Sequence, residues 1–102
     1  MGMGNLQRMA QQMQQEMERI QAELAETEVE GSAGGGVVRA VVTGKQSLVS
    51  VTIDPSAVDA DDVEMLQDLV TAAVNEAARK VDEAVQEKIG GLAGGMKLPG
   101  MF

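Results

Sequence analysis

The side chains of this chain that could do chemistry are almost all carboxylates. Its 102 residues include 16 Asp and Glu but no His, Cys or Tyr. His is the commonest general base, and His and Cys are the usual ligands of transition metals. Two carboxylates can share acid–base work only where contrasting environments separate their pKa values, and these acids fall on faces that we expect to be solvated. We therefore predict no enzymatic activity, no cofactor and no small-molecule substrate.

Two local clusters resemble ligand sites but are better explained as structure. Residues 31–36 have the sequence GSAGGG, yet they lead into a strand rather than a helix and no Gly-Lys-Ser/Thr follows, unlike a phosphate-binding loop. We predict a turn there. The acids at 59–64 lack the central Gly and distal Glu of a calcium loop. Carboxylates are favoured at a helix N-terminus, so we predict no metal site.

The cations are few and unevenly distributed. The net charge of −8 argues by itself against a nucleic acid partner. Residues 21–76 carry two cations against eleven acids, whereas residues 1–20 are neutral and residues 77–102 carry one excess positive charge. A bound polyanion would therefore meet the two ends of the chain. Arg8 and Arg19, about three helical turns apart, could contact phosphates or could belong to a solvated face.

Residues 1–25 are predicted to form a first helix with a narrow apolar seam. The seam follows heptad spacing and comprises Leu6, Ala10, Met13, Met17, Ile20 and Leu24. The other faces carry Gln, Glu and Arg, so the helix needs one neighbour along most of its length. That neighbour is either the chain's own domain or a second copy. We favour a second copy, because little else in the chain can cover the seam.

Residues 27–54 are predicted to form a three-stranded antiparallel meander. Gly34 to Gly36 provide the first reversal. A two-residue turn at Gly44 and Lys45 would pair Val38 with Val51. The inner face would then hold Val38, Ala40, Val42, Val49, Val51 and Ile53. The opposite face retains Val37, Val41 and Leu48, so we expect it to be covered as well.

A second helix is predicted over residues 60–89, where Gly90 and Gly91 would end it. Residues 90–102 would form a tail that is flexible or docked. The whole chain, 1–102, is then a single α+β domain. The absence of Cys fits the reducing cytoplasm. No stretch has the apolar core of a signal peptide or the length to span a bilayer, so we expect no membrane association.

The order of motifs resembles the bacterial YbaB/EbfC family of nucleoid-associated proteins. The resemblance rests on MGNLQRMAQQMQQEMERIQAEL at 3–24, GGGVV at 34–38, GK at 44–45, IDPS at 53–56 and GGMKLPGMF at 94–102. It implies a tweezer-like, intertwined homodimer in which two chains share their sheets. It also implies DNA binding with low sequence specificity, a role in nucleoid organisation and gene regulation, and a location at the nucleoid in the cytoplasm.

The resemblance also implies which residues carry these roles. Helices from both ends of the chain would grip DNA, with phosphate contacts from Arg8, Arg19, Arg79, Lys80, Lys88 and Lys97. The dimer interface would comprise Leu6, Met13, Met17, Ile20, Leu24, Val41 and Leu48. Glutamines occupy much of the first helix where the family often carries lysines, which predicts weak binding at physiological salt. The alternative function is an interaction module that docks a DNA-repair or recombination protein.

The closing GGMKLPGMF carries a further hypothesis. Its apolar residues Met96, Leu98, Met101 and Phe102 would dock onto a groove of the dimer, with the glycines as a hinge. A mobile tail is the alternative.

Overall fold

The computed structural model describes residues 2–96, and the side chains of residues 3–91. The elements are α1 (Gly2–Glu26), β1 (Glu28–Ala33), β2 (Val38–Thr43), β3 (Leu48–Ile53), a short 3-10 turn (Pro55–Ala57) and α2 (Val63–Met96). The strands form one antiparallel sheet in the order β1-β2-β3. The predicted α+β order of helix, three-stranded meander and helix is confirmed. Residues 90–96 of the predicted tail belong to α2. Residues 97–102 lie outside the described residues, and they include Lys97 and the Leu98, Met101 and Phe102 of the docking hypothesis.

The core lies where α2 packs on one face of β1 and β2. Ala73, Ala77 and Val81 recur every four residues, so they lie on one face of α2. They are fully buried against β2, whose inward residues are Val38, Ala40 and Val42. Because the facing residues of α2 are mostly Ala, the helix axis can approach the sheet closely.

Gly31 on β1 is required by this close approach. A Cβ at position 31 would lie 2.3 Å from the backbone nitrogen of Ala77 and 2.5 Å from the carbonyl oxygen of Ala73. Both distances are far inside van der Waals contact, and both atoms belong to the backbone of α2. The helix therefore rests directly on the backbone of β1.

The β2–β3 hairpin differs from the prediction in loop length and register. The loop has three residues, 44–46, closed by the Thr43 N–H donating to the Ser47 carbonyl at 2.8 Å. Gln46 has the left-handed φ of 63°. Such a backbone is costly for a non-Gly residue, but the Gln46 amide Nε2 donates to the Ala78 carbonyl (3.1 Å) and to Asp82 Oδ1 (3.0 Å). This tertiary anchor on α2 offsets the local cost.

The longer loop and a β-bulge shift the strand pairing. Val38 pairs with Ile53 rather than with Val51, and the register changes between Val41 and Val42. Val42 then pairs with Leu48, which leaves Val49 as the additional residue of the bulge. Val51 still packs against the core. The predicted face is therefore kept at Val51 but not at Val49, which is half exposed.

The second helix is displaced at both ends from the predicted 60–89. It begins at Val63, where Asp62 Oδ1 accepts the Met65 N–H at 3.2 Å. It continues through Gly90 and Gly91 to Met96. A glycine that ends a helix usually has positive φ, and among the described glycines only Gly34, Gly35 and Gly36 do. An interior Gly costs only about 1 kcal/mol, which is too little to stop a long helix.

Within the described residues, the first helix contacts the body near its C-terminal end. Ile20 and Leu24 are buried, and the Gly44 N–H donates to the carbonyls of Leu24 (2.9 Å) and Thr27 (3.0 Å). Residues 3–19 are exposed apart from Glu16, which is half-buried. The molecule consequently extends 72 Å along its longest axis and only 27 and 16 Å along the others.

Candidate nucleic-acid interface

The projecting part of α1 presents an apolar stripe to solvent. Its members, here called the α1 stripe, are 76% to 37% exposed, decreasing toward the body: Met3, Leu6, Met9, Met13 and Met17. Sequence reasoning found three of these and missed Met3 and Met9. Met9 lies one turn before Met13, so helical spacing alone could have identified it. The stripe is the largest run of exposed apolar side chains on one element of the described chain.

The opposite side of α1 is polar and carries two cations. At 100° per residue, it presents what we call the α1 polar flank: Arg8, Gln11, Gln12, Gln15 and Arg19. Arg8 is exposed and forms no salt bridge within residues 2–96. Its guanidinium is therefore available to a phosphate without loss of an internal partner.

Arg19 is held by two carboxylates of its own helix. Its Nη2 lies 2.5 Å from Glu16 Oε2, and its Nη1 lies 2.9 Å from Glu23 Oε1. The hydrogen bond and the negative charge of Glu16, followed by the charge of Glu23, raise the pKa of Arg19 above its ordinary value. Its positive charge is locally balanced, so a phosphate must compete for it.

Lys88 on α2 reaches the same carboxylate of Glu23. Its Nζ lies 3.2 Å from Glu23 Oε2, which links α1 to α2 across 65 positions of sequence. The hydrogen bond from Lys88, followed by its charge, lowers the pKa of Glu23. Arg19 and Lys88 are thus the two predicted DNA-contacting residues that the structure brings together. The carboxylate of Glu23 lies between them.

Arg79 and Lys80 each pair with an acid one turn away on α2. Arg79 Nη1 lies 2.6 Å from Glu83 Oε1, and Lys80 Nζ lies 3.1 Å from Glu76 Oε1. The hydrogen bond from Lys80 lowers the pKa of Glu76. Lys80 Nζ also donates to the Glu30 carbonyl of β1 at 3.1 Å, so it is anchored to the sheet. Among the described residues, the predicted cations do not form one patch free of carboxylate partners.

Two exposed cations were set aside by sequence reasoning because they lie in the acidic middle segment. They are Arg39 on β2 and Lys45 in the hairpin loop, and neither forms a salt bridge in the described part of the chain. The net charge of residues 21–76 did not reveal these two cations, because a net charge does not show which individual cations lack a salt-bridge partner. Arg39 does contribute to the lowered pKa of Asp54, after the hydrogen bonds from Ser56.

The predicted dimer-interface residues divide into three groups by burial. Leu6, Met13, Met17 and Leu48 are exposed, and Val41 is half-buried. Ile20 and Leu24 are only 6% and 4% exposed, so they are already covered by their own chain. The seam accordingly has a buried base within the subunit and an exposed outer part.

The described residues hold neither a candidate metal site nor a candidate membrane-spanning helix. Within residues 2–96, no group of three or more carboxylates is placed to hold a metal ion. Over the same residues, no helix combines the length and apolarity needed to cross a membrane.

Comparison with known proteins gives concordant matches over nearly the whole chain. A nucleoid-associated protein of Acetivibrio thermocellus is 56% identical over 99 residues, covering 96% of this chain and 88% of that protein. A nucleoid-associated protein of Alkaliphilus metalliredigens is 51% identical over 100 residues, covering 98% of this chain and 88% of that protein. The crystal structure of the uncharacterized protein HP0035 from Helicobacter pylori superposes with a TM-score of 0.69 at 27% identity, covering 94% of this chain and 97% of that one.

The family-level match is equally extensive. The sequence model of the YbaB/EbfC DNA-binding family matches residues 1–96. This is a family of DNA-binding proteins and not a family of enzymes. The match spans both helices and all three strands, as the order of the motifs predicted, and the chain therefore belongs to the YbaB/EbfC DNA-binding family.

Proposed function

We propose that this protein is a nucleoid-associated protein that binds DNA as a homodimer with low sequence specificity. It acts at the nucleoid in the cytoplasm, in nucleoid organisation and gene regulation. The observation that carries the proposal is the match of residues 1–96 to a DNA-binding family, together with relatives at about half identity that are named nucleoid-associated proteins. The comparisons offer no support for the alternative of a docked repair or recombination protein.

The exposed α1 stripe supports the homodimer. Contiguous exposed apolar surface of this kind marks an interaction site in soluble proteins. A second copy supplies an identical stripe, and heptad-spaced apolar residues pack well against one another. Burial of each exposed Leu or Met side chain contributes at most about 1.5–3 kcal/mol, so several of them together favour association.

The cations and amides of the two helices support a sequence-independent mode of binding. Arg8, Arg19, Arg79, Lys80, Lys88 and Lys97 are the proposed phosphate contacts. The amides of the α1 polar flank add neutral hydrogen bonds to phosphate or sugar, which position a protein on DNA without reading its bases. Because four of these six cations have internal carboxylate partners, we expect modest affinity that falls steeply with salt.

Arg8 provides the simplest test, since it is the one proposed contact on α1 without an internal partner in the described chain. Gel shifts with a mixed-sequence duplex at about 50 and 200 mM salt should show retention that weakens strongly at the higher salt. Arg8→Ala should lower the affinity several-fold and reduce the slope of log affinity against log salt by about one for each chain, which is about two for the homodimer. Gln11→Ala, on the same flank but uncharged, should lower the affinity less and leave its salt dependence unchanged, because a neutral contact releases no counterion.

The possible outcomes test the proposed DNA binding and the proposed contacting surface separately. If the wild-type chain fails to retain DNA at the lower salt, the proposed function is wrong. If the wild-type chain binds and Arg8→Ala binds equally well, DNA binding stands but α1 is not the contacting surface.

A further inference from the structure

The carboxylate of Glu23 occupies an unusual position at the base of α1. One of its oxygens lies 2.9 Å from Arg19 Nη1, and the other lies 3.2 Å from Lys88 Nζ. Within residues 2–96, the contact with Lys88 is the one salt bridge that joins the two helices. A single acid therefore binds two of the residues assigned above to DNA, one from each end of the chain.

We infer that Glu23 is an internal competitor for DNA, which holds Lys88 in the free protein and must release it before Lys88 can contact a phosphate. The inference rests on the proposed function, because it assigns a negative role to Glu23 in the same binding event. On this account, the presence of Glu23 lowers the affinity of the chain for DNA and makes the affinity less dependent on salt.

Phosphate binding obtains much of its free energy from the release of counterions. A cation contributes when it neutralises a phosphate and releases the counterion condensed there. Lys88 already lies beside a carboxylate, so its contact with phosphate requires that the salt bridge be broken first. The two side chains are 37% and 43% exposed, so the bridge is accessible to an incoming phosphate and is weak enough to exchange.

Lys88 and Arg19 do not gain equally when Glu23 is neutralised. Arg19 keeps Glu16 as a partner at 2.5 Å, whereas Lys88 has no other carboxylate partner within residues 2–96. Neutralising Glu23 therefore frees one full cation. The pKa of Glu23 is lowered by Lys88, so the carboxylate stays ionised at neutral pH and the competition persists under ordinary conditions.

Among the described residues, the other two salt bridges of α2 lie within that helix and do not join it to α1. Glu83 and Glu76 each hold one cation of their own helix, one turn away. Lys80 is further anchored to the Glu30 carbonyl, so loss of Glu76 would not release it. Substitution of Glu23 is consequently the single change expected to free a cation between the two helices.

The test compares Glu23→Gln with Glu18→Gln in the full chain. Both changes raise the net charge by one on the same helix, but Glu18 forms no salt bridge within residues 2–96. Fluorescence-anisotropy titration of a mixed-sequence duplex should show Glu23→Gln binding about ninefold tighter than Glu18→Gln, as expected when one exposed pair worth about threefold is released in each chain of the homodimer. The slope of log affinity against log salt should steepen by about 0.9 for each chain, which is about 1.8 for the homodimer.

The same comparison in a Lys88→Gln background shows whether Lys88 carries the effect. There the difference between the two Glu variants should disappear, and persistence of the difference would overturn the inference. A purely structural bridge predicts another outcome. Glu23→Gln would then melt at a lower temperature by circular dichroism and bind DNA no more tightly than Glu18→Gln, which also overturns it.

Failure of the proposed function has a separate signature. If the wild-type chain and all variants leave the duplex unbound at about 50 mM salt, both the function and the inference are wrong. If the wild-type chain binds and the two Glu variants bind equally, DNA binding stands and the role of Glu23 alone is refuted.

Discussion

At the scale of single residues, the fold depends most sharply on Gly31. Its Cα hydrogen faces the backbone of α2, where a Cβ would meet the Ala77 nitrogen at 2.3 Å. Neither backbone can move away without disturbing the buried layer formed by Ala73, Ala77 and Val81. Glycine therefore fits this position through its small size rather than its conformational freedom.

We predict that Gly31→Ala destabilises the chain by about 3 kcal/mol, the upper range for overpacking a core. Thermal unfolding should show a fall in melting temperature of about 10 °C or more. Gly4→Ala is the control, because no atom of the described residues lies within 4 Å of a Cβ there. An unchanged melting temperature for Gly31→Ala would mean that α2 does not rest on β1 as described.

The positions of these cations along the two helices could be predicted from the sequence, but their salt bridges could not. Spacing placed Arg8 and Arg19 on one flank of α1, and the structure agrees. The bridge from Lys88 to Glu23 joins residues 65 positions apart. Such a pair depends on how α1 and α2 lie against each other, and no local pattern encodes that.

At the scale of elements, helices and strands were predicted better than their ends. Local composition identified α1, the strands and α2 because apolar periodicity extends over many residues. It failed at the β2–β3 loop, where Gln46 takes a left-handed backbone through its contacts with Ala78 and Asp82. A tertiary hydrogen bond overrode the local preference for a two-residue Gly turn, and the strand register moved with it.

The end of α2 gives a test at this scale. Gly90 lies inside the helix, and Gly35 lies in a turn with φ of 74°. In both cases no atom of the described residues lies within 4 Å of a Cβ, so only backbone conformation distinguishes them. Gly90→Ala should stabilise the chain by up to about 1 kcal/mol, and Gly35→Ala should destabilise it by about 1–2 kcal/mol.

Melting curves followed by circular dichroism would show the opposite signs. A gain in helical signal should accompany Gly90→Ala. If Gly90→Ala instead lowers the melting temperature, Gly90 has the left-handed conformation of a helix terminus, and α2 ends near residue 89 as the sequence suggested.

At the scale of the whole molecule, two apolar surfaces remain exposed in a single subunit. The α1 stripe is exposed along a helix that touches the body only at its base. On β3, Leu48, Val49 and Ile53 are also exposed, because α2 packs on β1 and β2. Both surfaces are apolar, although the chain has a net charge of −8. A second copy would cover the α1 stripe with its own apolar stripe, so that no charged side chain would be placed against it.

The proposed mode of DNA binding depends on the proposed homodimer, because two α1 helices can contact one duplex as a pair of arms only if two chains associate. The most direct test is sedimentation equilibrium of a labelled mixed-sequence duplex with the full chain at about 50 mM salt. Each chain has a mass of 10.7 kDa. We predict that the mass of the duplex rises in steps of two chains. A rise in steps of one chain, or no rise at all, would contradict the account.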